Sequence, residues 1–439
     1  MTSKPSSVII VGGGASAVFA TVALRERAVA DGVEPPRITV VGREEVVGRG
    51  LAYGRADAHH RLNSPAGKMS LTASDADGFL RHLDETGWRD VDGSSATPGA
   101  FVPREVFGDY VEAAFRALVD DPASGVAFEQ GEVADVDDSG TGPFVTLADG
   151  TALAADAVVL ALGNPAPGRV PTGAARAIDD PWAVGALDGI DASDHVLLIG
   201  TGLTMIDVAT SLARRLPGIR MTATSRHLLL PAVHPSVPAA PGPGLGDGLS
   251  TLGGMMSAFS ARLHRAEAEG TPWQAVVDGV RPQTQALWLA LDQADRERFL
   301  AHGARRWDVH RHRMAQAVWA ELSGLLDAET LTIAADVDTS GFDVAVNCTG
   351  PASVASRGWS PLVDRLLDRG LVAGDPTGLG FDADPDGALL GAEGLASGRL
   401  FGIGASLKGA LWETVAIGEV RLMASKIAAR LGVPATAAA

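Results

Sequence analysis

The chain has 439 residues, 46% of them hydrophobic and 20% charged, so it is too long for one hydrophobic core and too apolar for intrinsic disorder. A formal net charge of −17 excludes the basic face that a sequence-independent nucleic-acid binder needs, and it favours solubility. The single cysteine, Cys348, excludes a disulfide framework and any paired-thiol redox chemistry, and it fits a reducing cytoplasm.

The first predicted element is a strand, Val8-Ile9-Ile10-Val11, continuous and apolar as in a buried parallel sheet. Gly12-Gly13-Gly14-Ala15-Ser16-Ala17 follows, then a helix from Ala15 to Ala30 and a second strand, Ile38 to Val41, which completes a βαβ unit. The uncharged run Ser6 to Leu24 imitates a secretory signal, but three glycines are a poor centre for such a helix, and no other stretch is long and apolar enough to span a bilayer. Residues 125–160 read as a small antiparallel meander with a hairpin turn at Asp149-Gly150. Ala157 to Leu162 is another buried strand, ending in Gly163.

A second βαβ unit begins at Asp194, with strand His195 to Ile199, turn Gly200-Thr201-Gly202-Leu203-Thr204-Met205, helix Ile206 to Arg215 and strand Ile219 to Ser225. Pro231 to Gly248 is a Pro/Gly-rich segment, either a lid or a disordered connector. Ser257 to Leu326 is helical in pattern, Phe342 to Cys348 is a strand before Gly350, and a helix runs from about Leu411 to Leu431.

Each glycine turn follows an apolar strand and opens a helix. The first Gly permits the sharp turn, the second lets backbone approach a pyrophosphate, and the helix N-terminus offers N–H donors with about half a positive charge. Either turn alone could be a tight connection and nothing more, whereas two in one chain point to two dinucleotides, or to one dinucleotide and a vestigial site. Gly12, Gly14 and Ala17 fit the first pattern; Gly200 and Gly202 fit the second, with Met205 where a third small residue is usual. The acidic residue expected at the end of the second strand is missing: Gly42 stands there, so either Glu44 reaches back or backbone and water hold the ribose. In the second unit, Ser225-Arg226 offers a hydroxyl and a guanidinium and no carboxylate, which predicts NADPH over NADH; the plain alternative is a solvated surface arginine.

No Cys/His/carboxylate cluster has zinc spacing, so no metal is expected. The basic run Arg305, Arg306, Arg311 and Arg313 is either a solvated or salt-bridged face or a guide for an anionic ligand. Asn63, Lys408 and Trp412 are the candidate catalytic groups. Lys408 either stabilises an anionic flavin ring or is a surface lysine; Trp412 either meets the flavin or packs in the core; Glu413 either meets ligand or pairs with an arginine.

The blocks Val47 to Tyr53, His60 to Ala66 with Met69, Phe101 to Arg104, Ser225-Arg226, Trp307 to Arg313 and Lys408 to Thr414 resemble a bacterial FAD/NAD(P)-binding family of two-dinucleotide-domain flavoproteins, related to the flavin-dependent N-hydroxylating monooxygenases. The resemblance implies an α/β fold of two Rossmann-like three-layer domains, the second inserted in the first: 1–170 and 336–439 for FAD, and 190–335 for NAD(P) with a helical segment at 255–328. It implies that Gly12, Gly13, Gly14, Ala15, Ser16, Ala17 and Glu44 hold the FAD pyrophosphate and ribose, and that Val133 meets the adenine. Arg49, Gly50, Asn63, Pro65 and Met69 would wrap the flavin end, with Gly163, Gly404, Trp412, Glu413 and Thr414. Gly200, Gly202, Leu203, Thr204, Ser225, Arg226 and Gly350 would hold NADPH. Gly404 is followed by Ala405 where relatives often carry an Asp for the ribityl chain, so this sequence lacks that carboxylate. The activity implied is an NADPH-dependent flavin monooxygenase acting with oxygen on a small polar substrate, foremost N-hydroxylation of an amine. A ketone-oxidising fingerprint is missing near Gly163. The alternatives are a flavin dehydrogenase or oxidase without oxygen insertion, and a non-catalytic FAD-binding scaffold, which Met205 and Gly42 favour. A cytoplasmic protein without membrane or nucleic-acid partners is expected, of open oligomeric state.

Overall fold

The computed structural model describes residues 5–138, 140 and 142–432. The chain divides into two compact units: one runs to Pro165 and resumes at Ser353, and the other spans Ala166–Ala352. Before Pro165 lie β1 (Ser7–Val11), β2 (Arg37–Gly42), β3 (Val126–Gln130), β4 (Val133–Asp137), β5 (Phe144–Leu147), β6 (Ala152–Ala154) and β7 (Ala157–Leu160). The second unit holds β8 (Arg176–Ile178), β9 (His195–Ile199), β10 (Arg220–Thr224), β11 (Leu331–Ile333) and β12 (Val344–Asn347), and the return to the first adds β13 (Ala388–Leu390) and β14 (Ala396–Gly402).

The first unit is built on a six-stranded sheet in the order β13-β14-β7-β1-β2-β3, parallel except for β13. Its central strands are buried on both faces, hence their unbroken apolar sequences. The helix Ala15–Ala30 packs against them through Val18 and Phe19, and the helix Ile417–Gly432 joins the same core through Met423 and Ile427. The expected meander is smaller than its sequence suggested. Only β4, β5 and β6 form the antiparallel sheet, while β3 pairs in parallel with β2 as an edge strand of the main one. A short apolar strand carries no mark of which neighbour it will bond.

The second sheet is all parallel, in the order β11-β10-β9-β12-β8. Here β12 pairs with β9, so this unit runs on to Ala352 where a return to the first was expected at 336. Between β10 and β11 lies the helical segment, from Leu252–Ala268 to Gln316–Asp327. The segment 231–248 is not a loose connector: Ala232 N–H donates to Val309 (2.7 Å), Met314 N–H donates to Ala232 (2.8 Å), Gly242 N–H donates to Ala275 (2.8 Å), and Leu245 N–H donates to Gln283 Oε1 (2.8 Å). The C-terminal helix is broken. A short turn, Lys408–Leu411, stops at Trp412, whose backbone has φ 61° and ψ −80°, and the long helix starts only at Ile417. Among the described residues no helix is long and apolar enough to cross a membrane.

Candidate cofactor sites

The two glycine turns are one module built twice. Gly12 and Gly200 both have φ +120°, a conformation that L side chains rarely adopt, and a Cβ on either would overlap a carbonyl oxygen of the neighbouring strand end, Ala161 or Cys348. Gly12 N–H donates to Val41 (2.7 Å) and Gly200 N–H to Thr224 (2.8 Å), so each turn closes on the end of the next strand. Gly14 and Gly202 cap the two helices in extended conformation, φ −84° and −88°, with no side-chain cap and no acidic residue in the first turn. Both N-termini therefore keep their donors for something other than their own side chains.

Around the first turn the structure gathers several expected residues. Glu44 reaches back: its Oε2 would lie 2.5 Å from a Cβ on Gly13 and 2.7 Å from one on Gly42. This accounts for the glycine at 42. The end of β2 is pressed against Gly13 N (2.9 Å from such a Cβ), no side chain fits, and the carboxylate comes from two residues further on. Gly48 N–H donates to Gly13 (2.8 Å), and Gly50 approaches Gly14, whose Cα would lie 3.0 Å from its Cβ. Ala15 and Ser16 open the helix, Ala17 is fully buried behind the turn, and Gly404 sits beside Ser16, 2.9 Å from the hydroxyl to a built Cβ. Val133 starts β4 just after Gly131, whose N–H donates to Gly42 (2.9 Å), which puts it near the same strand end.

Arg49 differs from its expected use. Its guanidinium is held by Glu112 (2.6 Å) and Asp109; burial works to lower its pKa, and those two hydrogen bonds outweigh burial and leave it raised. Its side chain braces the helix Arg104–Asp120, so only its backbone stays beside the turn. Asn63 is half-buried, Pro65 precedes the short helical turn Ala66–Lys68, and Met69 is buried.

The Gly404–Thr414 block is pinned from behind. Asp375, itself buried, accepts from Gly380 N–H (2.6 Å) and Thr377 N–H (2.8 Å), and Phe381 N–H donates to Ser406 (2.7 Å). Lys408 is half-buried with its Nζ 5.7 Å from the Trp412 ring centroid, a cation–π contact and not a loose surface lysine. Trp412 and Glu413 are buried. Thr414 is 1% exposed and, among the described residues, its Oγ1 has no hydrogen-bond partner. A buried hydroxyl of that kind calls for a polar partner, a ligand atom or a water. With the open N–H donors and Glu44, it makes the first site a fit for FAD.

Around the second turn, Met205 points into its own unit's core, fully buried. Leu203 and Thr204 begin the helix half-buried. Thr201 Oγ1 donates to Leu229 (2.8 Å) and lies 2.8 Å from Ser225 Oγ. Thr201 has spent its one proton, so Ser225 must donate to Thr201 while accepting from Leu228 N–H (3.1 Å). Ser225 therefore has no proton left for a phosphate, and of the expected pair only the exposed Arg226 is available. The uncapped N-terminus, with Arg305 Nη1 3.8 Å from where a Cβ on Gly202 would lie, fits a dinucleotide pyrophosphate. Gly163 (φ +71°) and Gly350 (φ +94°) end the strands beside the two turns. Cys348 is buried beneath the second turn; burial, aided by Asp207, pushes its thiol well above the ordinary value. It is inert.

The basic run divides. Arg306 is exposed and Arg311 buried. Arg313 bonds Asp278 and lies over Trp273, 5.6 Å from the ring centroid. Arg305 is half-buried near Gly202. The expected solvated or salt-bridged face thus holds for Arg306 and Arg313. Asp57, His59 and His60 also come together. However, His60 Nδ1 accepts from Asp57 N–H (3.1 Å), which places the neutral ring's proton on the Nε2 that a metal would need.

Residues 9–165 match the family described as FAD-NAD(P)-binding. Over 97% of its length the chain is similar in structure to an ornithine hydroxylase from Pseudomonas aeruginosa (16% identity, 98% of that chain, TM-score 0.62). The same share is similar to an L-lysine 6-monooxygenase from Pseudomonas syringae (16% identity, 99% of that chain, TM-score 0.62). It is similar as well to an ornithine N-hydroxylase from Kutzneria sp. 744 solved with reduced FAD, NADP+ and L-ornithine (14% identity, 98% of that chain, TM-score 0.60). No curated protein matches the sequence. At these identities the likeness is one of fold.

Proposed function

We propose that this protein is an FAD- and NADPH-dependent monooxygenase that N-hydroxylates a small primary amine. The carrying observation is the duplicated module: Gly12 and Gly200 share one backbone conformation, and each opens an uncapped helix. Two such sites in one chain suit an enzyme that takes electrons from one dinucleotide and uses them on another. The fold likeness to ornithine and lysine hydroxylases supports the reaction class. A cytoplasmic location belongs to the same reading.

The chemistry that bound FAD supplies is acceptance of hydride from NADPH and activation of oxygen. The protein's own residues do the rest. The N–H groups following Gly12 to Gly14 receive the FAD pyrophosphate, and Glu44 accepts from the ribose hydroxyls in place of the residue missing at 42. Thr414 gives its unspent hydroxyl to the flavin end, and Lys408, held over Trp412, places a positive charge there that favours an anionic ring. Asn63 is the polar group that this reading assigns to the substrate amine. In the second unit the turn after Gly200 receives the NADPH pyrophosphate, and Arg226 answers the 2′-phosphate.

The test is direct. The purified protein is expected to carry a flavin spectrum, to oxidise NADPH in air, and to release a hydroxylamine from one member of an ornithine, lysine, cadaverine and putrescine panel. Colourless protein that refuses added FAD would end the proposal. Flavin reduction that yields only peroxide with every amine would favour the oxidase reading.

A further inference from the structure

Arg305 lies at the start of the helix Ala304–Arg311, some hundred positions from the second glycine turn, yet it ends beside it. Its Nη1 would lie 3.8 Å from a Cβ on Gly202, the residue that caps the turn's helix. Its Nη2 donates to the carbonyl of Leu229 (2.8 Å), the oxygen that Thr201 also bonds (2.8 Å). Gly202, Thr201, Leu229 and Arg305 thus form one tied cluster, and the guanidinium is fixed in it without a salt bridge to any described residue. Burial lowers its pKa from the ordinary arginine value, and the nearby Asp308 acts against that without restoring it. A half-buried cation with no carboxylate on it, one edge anchored and the other facing an uncapped helix N-terminus, is a built half of an anion site.

We infer that Arg305, supplied by the inserted helical segment, is the binding residue that clamps the pyrophosphate of the second dinucleotide. The inference rests on the reading of that turn as the NADPH site and adds a residue that the turn's own sequence does not contain. The placement also distinguishes two phosphates. In this motif the pyrophosphate docks at the helix N-cap, here Gly202, whereas a 2′-phosphate belongs at the end of the second strand, where Arg226 stands exposed. Arg305 therefore serves NADPH and NADH alike, and Arg226 serves NADPH alone.

The competing reading makes Arg305 a brace for the Leu229 carbonyl. Substitutions separate the two. In the holo-flavoprotein, NADP+ and NAD+ would be titrated calorimetrically against wild type, R305K, R305Q and R226A, with flavin content and thermal midpoint recorded for each. A lost charge-assisted bond to phosphate predicts that R305Q weakens both nucleotides by about 10- to 100-fold, and that R305K keeps most of the affinity. R226A is expected to weaken NADP+ only. If R305Q binds both nucleotides as wild type does, or loses NADP+ alone, the pyrophosphate assignment is overturned. It is overturned as well if both R305Q and R305K lower the midpoint and lose affinity together, the mark of a brace. Wild-type holoprotein that binds neither nucleotide would overturn the NADPH site and this inference with it, so that failure is told apart from a failure of Arg305 alone.

Discussion

Replacing Thr414 with valine should move the two forms of the protein in opposite directions. The residue is 1% exposed and its Oγ1 has no partner among the described residues. An unsatisfied buried hydroxyl costs about 1–3 kcal/mol, and valine has nearly the same shape, so the substitution removes that cost without opening a cavity. Deflavinated T414V should therefore be the more stable by about 1–3 kcal/mol, which for a unit of this size is about 2–4 °C of midpoint per kcal/mol. If the flavin end supplies the missing partner, FAD affinity falls by the bond that valine cannot make, about 5- to 100-fold. Thermal melts of the apo form and a fluorescence titration with FAD measure the two arms. An apo form made less stable by T414V, or an unchanged FAD affinity, would refute the reasoning: the first means that the hydroxyl was already satisfied, the second that the flavin is not its partner.

Three further outcomes are expected. G200A forces a side chain into φ +120° and onto the Cys348 carbonyl, so it should abolish NADP+ binding while flavin content stays normal; G12A should do the reverse damage and yield protein without flavin. E44Q removes the charge at the ribose and should weaken FAD about 10-fold, read by equilibrium dialysis. Asp156 takes N–H bonds from Ser6 (2.7 Å) and Ser7 (3.0 Å) at the entry to β1; burial tends to raise its pKa, but those bonds and the two serine hydroxyls hold it below the ordinary value. Its folded pKa lies under its unfolded one, so its contribution is present above about pH 4 and is lost as pH falls through the folded value. D156N should melt lower than wild type at pH 7 and converge with it in acid.

The parts legible in the sequence were those set by local rules. Val8 to Val11 and Val196 to Ile199 could only be strands buried on both faces, and Gly12 and Gly200 had to be glycines because their backbones demand it. What stayed illegible depends on partners distant in the chain. Nothing in Val344 to Asn347 says that it bonds β9, so the unit boundary was misplaced by that one strand. Ser225 looked like a phosphate ligand until Thr201 and Leu228 claimed its hydroxyl. The break at Trp412 stayed hidden because no glycine or proline marks that position, although its backbone turns to φ 61° there.

Two departures from the dinucleotide pattern had favoured a non-catalytic scaffold, and each has a physical account that leaves its turn intact. Gly42 lacks the acid because Gly13 and Glu44 fill the space where a side chain would go, and Glu44 carries the carboxylate to the same place. Met205 occupies the position that usually needs a small residue for close helix–strand packing. Here the thioether is absorbed into a core with Val196, Leu198 and Val346 and is wholly buried. The turn does not register the substitution: the caps Gly14 and Gly202 differ by 4° in φ (−84° against −88°), and both opening glycines stand at +120°. The strand ends at Ala161 and Cys348 require glycine in both turns, and what marks the second as a working site is that its helix N-terminus stays uncapped as well. The second turn also has a fixed arginine beside it. That combination favours an enzyme using two dinucleotides over a scaffold holding one.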